Sequence, residues 1–439
     1  MRHAVRITAE LTLVVAGLIA GLFLVELGCR LAGYTTPVIT DGHGMAPRFY
    51  YKADPINGHD IAENFSDGFF QLPDYIRSHG APFAVSSNSL GCRDRPIEQG
   101  SDYVLLLGDS LTWGYVPLEQ TWGATLQQHI GVRVLNCGVG GYGPRHERRK
   151  MEVVVGRAGR PRLVIVGYTV GNDLTDDYLY PGRTVIDGYM VNKVTLTDPG
   201  NGDRTVSSDE QLQAQLKSFL EPMPAGLLAG WKSLLAEHSV LYDRLRNWRA
   251  LRHLASRLGM ADPPPPPSGL ESFSSVTASP WLDQAWEEHL HNILQLKSSV
   301  EGMGANLLVV IIPLSAQVYE SLRPQGSDLD WEYPNKRLTE CFRQEHIAYL
   351  DMMSEFQRYA HRTGPAIANR HEDLYWRDDG HLNVEGNRLA GLLISRYVLE
   401  QKFLALRDED KRLSDVRQLL RALIDVAPVQ ASSTANLHR

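Results

Sequence analysis

Four polar clusters in this sequence carry side chains suited to acyl transfer. The first is Ser110, in "GDSLTWG" (Gly108–Gly114), directly after the apolar run "YVLLL". A hydroxyl there, ahead of a helical stretch, sits near terminal N–H groups that favour negative charge. The second is "NCGVGGYGP" (Asn136–Pro144), whose glycines let backbone N–H groups approach a ligand closely. Gly138, Gly140 and Gly143 satisfy a bare G-x-G-x-x-G pattern. No acid stands roughly twenty residues on to hold a ribose, and no G-K-[ST] follows, so an anion-binding turn is favoured over a nucleotide site. The third is "GNDL" (Gly171–Leu174), where Asn172 offers a neutral donor to a developing oxyanion. The fourth is "WRDDGHLNVEGN" (Trp376–Asn387), with His381 as candidate general base. Asp378, three residues back, is the expected orienter of its ring, and Asp379, two back, is the second candidate. Each cluster alone reads more readily as a turn, a cap or a structural histidine. Together they supply nucleophile, base, orienter and oxyanion donors, the set that a tetrahedral acyl intermediate requires.

The elements between them must bring them together. "YVLLL" (Tyr103–Leu107), "VRVLN" (Val132–Asn136), "RLVIVG" (Arg162–Gly167), "ANLLVVIIP" (Ala305–Pro313) and "IAYLD" (Ile347–Asp351) are short apolar runs. Near-continuous apolar runs suit strands buried on both faces, and the helical stretches between them imply a parallel α/β sheet. Three successive strand ends then carry Ser110, the glycine loop and Asn172 to one edge. A long piece, about 178–303, interrupts the pattern. It reads as a helical insertion with amphipathic periodicity in "LLAGWKSLLAEHSVLYDRLRNWRALRHLASRL", a stiff pentaproline (Pro263–Pro267) and a helix over Trp281–Gly304. The remaining boundaries are a lead-in over 33–100 rich in turn formers, a main domain over 101–402, and a charged helix with a polar tail over 403–439.

These blocks resemble those of the SGNH hydrolases, also called GDSL esterases and lipases. "GDSLTWG" is similar to the family's first block, "NCGVGG" to the second, "GND" to the third and "DDGH" to the last. "NSLGCRDRP" (Asn88–Pro96) resembles the lead-in of membrane-anchored bacterial members. The resemblance implies a flavodoxin-like three-layer α/β/α fold and no metal or other cofactor. It also implies Ser110 as nucleophile, His381 and Asp378 as its catalytic partners, and an oxyanion hole of Ser110 N–H, Gly141 N–H and Asn172. The implied substrates are esters: small molecules, acylated glycans or lipids.

Composition narrows the setting. A net charge of −7 argues against nucleic acid as a partner. The four cysteines, Cys29, Cys92, Cys137 and Cys341, form no C-x-x-C pair, so neither a zinc site nor a disulfide framework is expected, though Cys92 and Cys341 could form one bridge. "LTLVVAGLIAGLFLV" (Leu11–Val25) is free of charge, with Arg2 and Arg6 before it and no clear cleavage site after it. It is expected to be a transmembrane anchor within residues 1–32 that leaves the body outside the cytoplasm, on the periplasmic side. An exported ester hydrolase would meet O-acyl, above all O-acetyl, groups of an envelope glycan or lipid. An O-acyltransferase and a non-catalytic envelope-binding protein are the alternatives.

Overall fold

The computed structural model describes residues 2–31, 44–198, 201–220, 239, 241, 280–323, 329–362, 364–366, 373–376 and 379–424. The five apolar runs form strands β1 (Tyr103–Gly108), β2 (Arg133–Asn136), β3 (Leu163–Thr169), β4 (Asn306–Ile312) and β5 (Ala348–Asp351). They make one sheet in the order β2-β1-β3-β4-β5, with every neighbouring pair parallel. This is the flavodoxin-like strand order, and it reverses direction at β1, so a crevice opens beyond the carboxyl ends of β1 and β3.

Strand alternation divides the core in two. Val104 and Leu106 face Leu126, Leu389, Leu392 and Val416, from helices Trp122–Ile130, Val384–Glu400 and Glu409–Ile424. Leu105 and Leu107 face Met151, Val154, Trp286 and Phe342, from helices Pro144–Ala158, Pro280–Gly302 and Tyr333–Gln344. The three central strands, β1, β3 and β4, are almost wholly buried on both faces, which is why they read as near-continuous apolar runs.

The lead-in carries more structure than its composition suggests. Tyr51–Asp54 pairs antiparallel with Gly58–Ile61, Gly68–Phe70 pairs with Phe83–Val85, and Pro73–His79 is helical. These pieces are too short and too half-exposed to leave a periodic signature. A third apolar cluster, with Tyr50, Ile61, Phe70, Trp113 and Tyr142, binds the lead-in to the sheet's active edge. So does the buried Lys150, whose ammonium donates to Asp60 at 2.7 Å and to the Gly91 carbonyl at 2.9 Å.

The insertion opens with two antiparallel hairpins, Arg183–Ile186 with Tyr189–Asn192 and Val194–Asp198 with Asp203–Val206, where helix was expected. Helix Asp209–Leu220 follows. The amphipathic stretch after it, apart from Ser239 and Leu241, lies outside the described residues, as do the pentaproline and the tail beyond 424.

Arg2–Leu31 is one helix, and its apolar Leu13, Leu18, Leu22, Phe23 and Leu24 are exposed. The side chains of residues 2–12, 15 and 19 lie outside the described set, and among the described residues no helix is long and apolar enough to cross a membrane.

The cysteines differ from expectation. Cys92 pairs with Cys137, not with Cys341, which keeps a free thiol. The bond joins the lead-in to the residue preceding Gly138, a contact that spacing alone does not reveal. Replacing both partners by Ser should cost about 2–4 kcal/mol in urea unfolding, the range for a native bridge. An unchanged midpoint would remove the bond from the fold's stability.

Candidate active site

Ser110 begins a four-residue helix, Ser110–Trp113, immediately after β1. The chain turns there because Gly108 (φ +140°) and its sheet neighbour Gly167 leave room for Thr112. A Cβ on either glycine would stand 2.1 Å from Thr112 Oγ1. Asp109 caps the short helix through the Leu111 N–H at 2.8 Å. At the other end the buried Arg93 donates to the carbonyls of Trp113 (2.8 Å), Gly114 and Val116 (2.5 Å), with its guanidinium 3.9 Å from the Trp113 ring centre. Burial lowers Arg93 only to about 10, so it stays charged at neutral pH. The helix that begins at Ser110 is thus fixed at both ends.

His381 Nε2 lies 2.7 Å from Ser110 Oγ. The alternative acceptor for the same hydroxyl, Asp109 Oδ2, is at 3.4 Å, so the imidazole is the better partner. Nδ1 of His381 meets Asp379 Oδ1, which places the ring's proton on Nδ1 and turns the Nε2 lone pair toward the serine. The orienting carboxylate is therefore Asp379, and Asp378, expected in that place, lies outside the described residues. The reason is a tight turn. Gly380 N–H returns to the Trp376 carbonyl, Trp376 N–H bonds the His381 carbonyl, and Gly380 adopts φ +79°. That turn folds the acid two residues back alongside the ring. Asp379 Oδ2 accepts the Gly44 N–H at 2.8 Å, so the lead-in holds the acid from behind. Tyr115 stacks on the imidazole, with ring centres 3.6 Å apart and planes within 9°. Burial, reinforced by the Asp379 charge, holds the Tyr115 phenol well above its ordinary range.

The candidate oxyanion donors lie on the neighbouring loops. Asn172 Nδ2 donates to Asp109 Oδ2 at 3.0 Å and to Asp176 Oδ2 at 2.8 Å. Ser110 Oγ and the Asn172 amide thus share Asp109 as a neighbour. Burial raises the Asp109 carboxyl, and the bonds from Leu111, Asn172 and Thr169 counter it. Gly140 also approaches Ser110, since a Cβ on it would lie 3.9 Å from the Ser110 Cβ. Gly141 has φ +77° and the Arg183 guanidinium against it.

Sequence reasoning missed His59. Its Nε2 is 2.8 Å from the Gly140 carbonyl, and its own carbonyl accepts from Tyr142 Oη at 2.7 Å. The peptide plane sets the Gly141 N–H opposite the Gly140 C=O, so His59 fixes where that N–H points. Burial lowers His59 to about 4, which keeps the ring neutral with its proton on Nε2. A histidine 81 residues from its partner, on a short strand, leaves no sequence signal beyond its type.

Among the described residues no cluster of His, Cys, Asp and Glu could hold a metal ion. No protein-family model matches the chain, and no curated protein matches it. Solved structures with a likeness of fold include a member of the lipolytic protein G-D-S-L family from Veillonella parvula, at 12% identity over 68% of this chain and 97% of that one (TM-score 0.32). Another is an acetyl xylan esterase, at 12% identity over 67% and 99% of the two chains (TM-score 0.33). A third is a catalytic mutant of an acetylxylan esterase from Geobacillus stearothermophilus, at 11% identity over 71% and 100% (TM-score 0.31).

The buried neutral His59 makes stability pH-dependent. Its folded pKa, about 4, lies below the unfolded value, so the unfolded chain binds the extra proton as pH falls. Its contribution is present above about pH 6.5 and is lost progressively as pH drops toward 4, by roughly 2–3 kcal/mol at pH 4.5. His146, also lowered by burial, adds with the same sign. Urea midpoints at pH 7 and pH 4.5 should differ less in His59→Gln than in the parent. Equal differences would show that the ring already protonates in the fold.

Proposed function

We propose that this chain is a serine carboxylic-ester hydrolase of the SGNH type, with Ser110 as nucleophile, His381 as general base and Asp379 as its orienting acid. The observation that carries the reading is the continuous Asp379–His381–Ser110 relay at the crevice of the sheet. Ser110 Oγ bonds to the ester carbonyl carbon as its proton passes to His381 Nε2, and the carbonyl π electrons move onto oxygen. The N–H groups of Ser110 and Gly141 and the Asn172 amide receive that charge, each donor being worth about 3–4 kcal/mol of barrier. Collapse breaks the carbon–alkoxide bond, and the leaving alcohol takes the proton from His381. Water then attacks the acyl-enzyme with His381 again as base, which returns the free serine and the acid.

The substrate proposed is an O-acyl group, above all O-acetyl, on a cell-envelope glycan or lipid. Tyr115, Tyr51 and Trp376, partly buried beside His381 and Ser110, support an amphipathic ligand such as a sugar. Helix Arg2–Leu31 is proposed as the single-pass anchor, with the catalytic body on the extracytoplasmic side. Its exposed leucines and the Cys92–Cys137 disulfide, a bond characteristic of oxidising compartments, support that placement.

A fluorophosphonate probe should label Ser110, and Ser110→Ala should lose both labelling and hydrolysis of p-nitrophenyl acetate. Efficient labelling of the Ala variant would sink the assignment. In the same assay Asp379→Asn should lose on the order of 10⁴ in turnover by favouring the wrong imidazole tautomer, with its melting temperature retained. Asp378→Asn should change turnover by less than about threefold, since a carboxylate that orients no ring has no tautomer to set. A large loss at Asp378 alone would return the role to that residue. For topology, a reporter active only in the periplasm, fused after Arg407, should be on, and a signal only from a cytoplasmic reporter would reverse the orientation.

A further inference from the structure

We infer that Arg183 is a positioning residue that sets two of the three oxyanion donors at once; the inference rests on the hydrolase reading above. Arg183 is the first residue of the hairpin Arg183–Ile186/Tyr189–Asn192, in the insertion for which sequence offered no role. Its Nη1 donates to Asp176 Oδ1 at 2.9 Å, while the other oxygen, Asp176 Oδ2, accepts from Asn172 Nδ2 at 2.8 Å. One carboxylate therefore couples the guanidinium to the amide. The same guanidinium lies against Gly141, where a Cβ would stand 1.5 Å from Nη1 and 2.3 Å from Cζ. Arg183 is thus wedged between the loop that carries Gly141 and the turn that carries Asn172.

Electrostatics gives this wedge its purpose. The Asn172 amide is bonded to two carboxylates, Asp109 and Asp176. An oxyanion forming beside that amide meets two like charges, and it must also draw the amide away from one of them. Arg183, in direct contact with Asp176, offsets one of the charges and fixes the carboxylate's second oxygen, so the amide keeps its place when the oxyanion appears. The hairpin holds the arginine in turn. Arg48 donates to Asp187 O at 2.9 Å, and Phe49 N–H bonds Gly188 O at 3.0 Å, so the lead-in fixes the hairpin tip.

A rival role would have the guanidinium, about one-quarter exposed, bind an anionic group of the substrate. The two are separated by kinetics on p-nitrophenyl acetate, a neutral ester. Arg183→Gln should lower kcat by about 10- to 100-fold, less than deleting a donor itself, with KM within about twofold. Arg183→Lys should retain most of kcat. Asp176→Asn combined with Arg183→Gln should recover about tenfold over Arg183→Gln alone, because the neutral pair keeps an acceptor for Asn172 and removes the uncompensated charge. Melting temperatures check folding, and if Arg183→Gln does not fold, Arg183→Lys carries the test, a folded lysine variant with kcat below about one-tenth of the parent's overturning the inference. Unchanged kcat in Arg183→Gln, a change confined to KM, or a double variant no better than the single one would overturn the inference. Ser110→Ala runs beside them. If it still hydrolyses the ester, or if the parent neither hydrolyses it nor takes the fluorophosphonate label, the hydrolase reading fails and the inference with it.

Discussion

The bond between Ser110 and His381 joins residues 271 apart in the chain, and the rest of the structure serves its 2.7 Å length. A single neutral hydrogen bond contributes only about 1 kcal/mol net, so it cannot hold the two ends of a domain in place. The scaffold must do so, and reactivity falls steeply with small misplacements. The sheet fixes the serine by ending β1 on a glycine and tucking Thr112 beneath it. The histidine is fixed by a turn closed by Trp376 and Gly380, by Tyr115 stacked on its face, and by an acid that Gly44 grips from outside the sheet.

Around that bond the chain adds a layer that the five-strand sheet alone does not provide. The lead-in supplies Arg93 to the helix that begins at Ser110, His59 to the Gly140 carbonyl and Asp60 to the buried Lys150. The insertion supplies Arg183. Much of this layer manages charge. Asp109, Glu147 and Asp173 are all buried behind the serine; burial raises all three carboxyls, and neighbouring carboxylates raise Glu147 and Asp173 further. Some of that charge is met by cations and amides, and some is relieved by carboxyls that retain their protons at higher pH than usual. On the proposed reading such an arrangement matters, since fixed negative charge beside the serine would oppose a developing oxyanion.

Legibility followed periodicity. Two-sided burial left near-continuous apolar runs at β1, β3 and β4, and all five apolar runs are strands of the sheet. Ser110, Asn172 and His381 were visible because each follows a strand or precedes a helix whose end is marked. Of the two candidate acids it is the second, Asp379, that meets the ring, because the turn at Gly380, not spacing, decides which carboxylate reaches it. His59, Arg183 and the Cys92–Cys137 pair were not legible at all. His59 and the disulfide act across 81 and 45 residues, and Arg183 reaches both Asp176 and the distant Gly141 from a short, half-exposed strand; such contacts impose no pattern on the intervening sequence.

The Gly44 link also imposes an order on the making of the molecule. The amide that steadies the acid is synthesised well before its partner, which follows 335 residues later. At ordinary rates of translation that is a wait of roughly 20–70 s. Through that interval the sheet strands, the glycine loop and Asn172 can all be complete while the imidazole and its acid do not yet exist. The Ser110–His381–Asp379 array therefore forms late, when the turn at Gly380 reaches back to a segment made long before it.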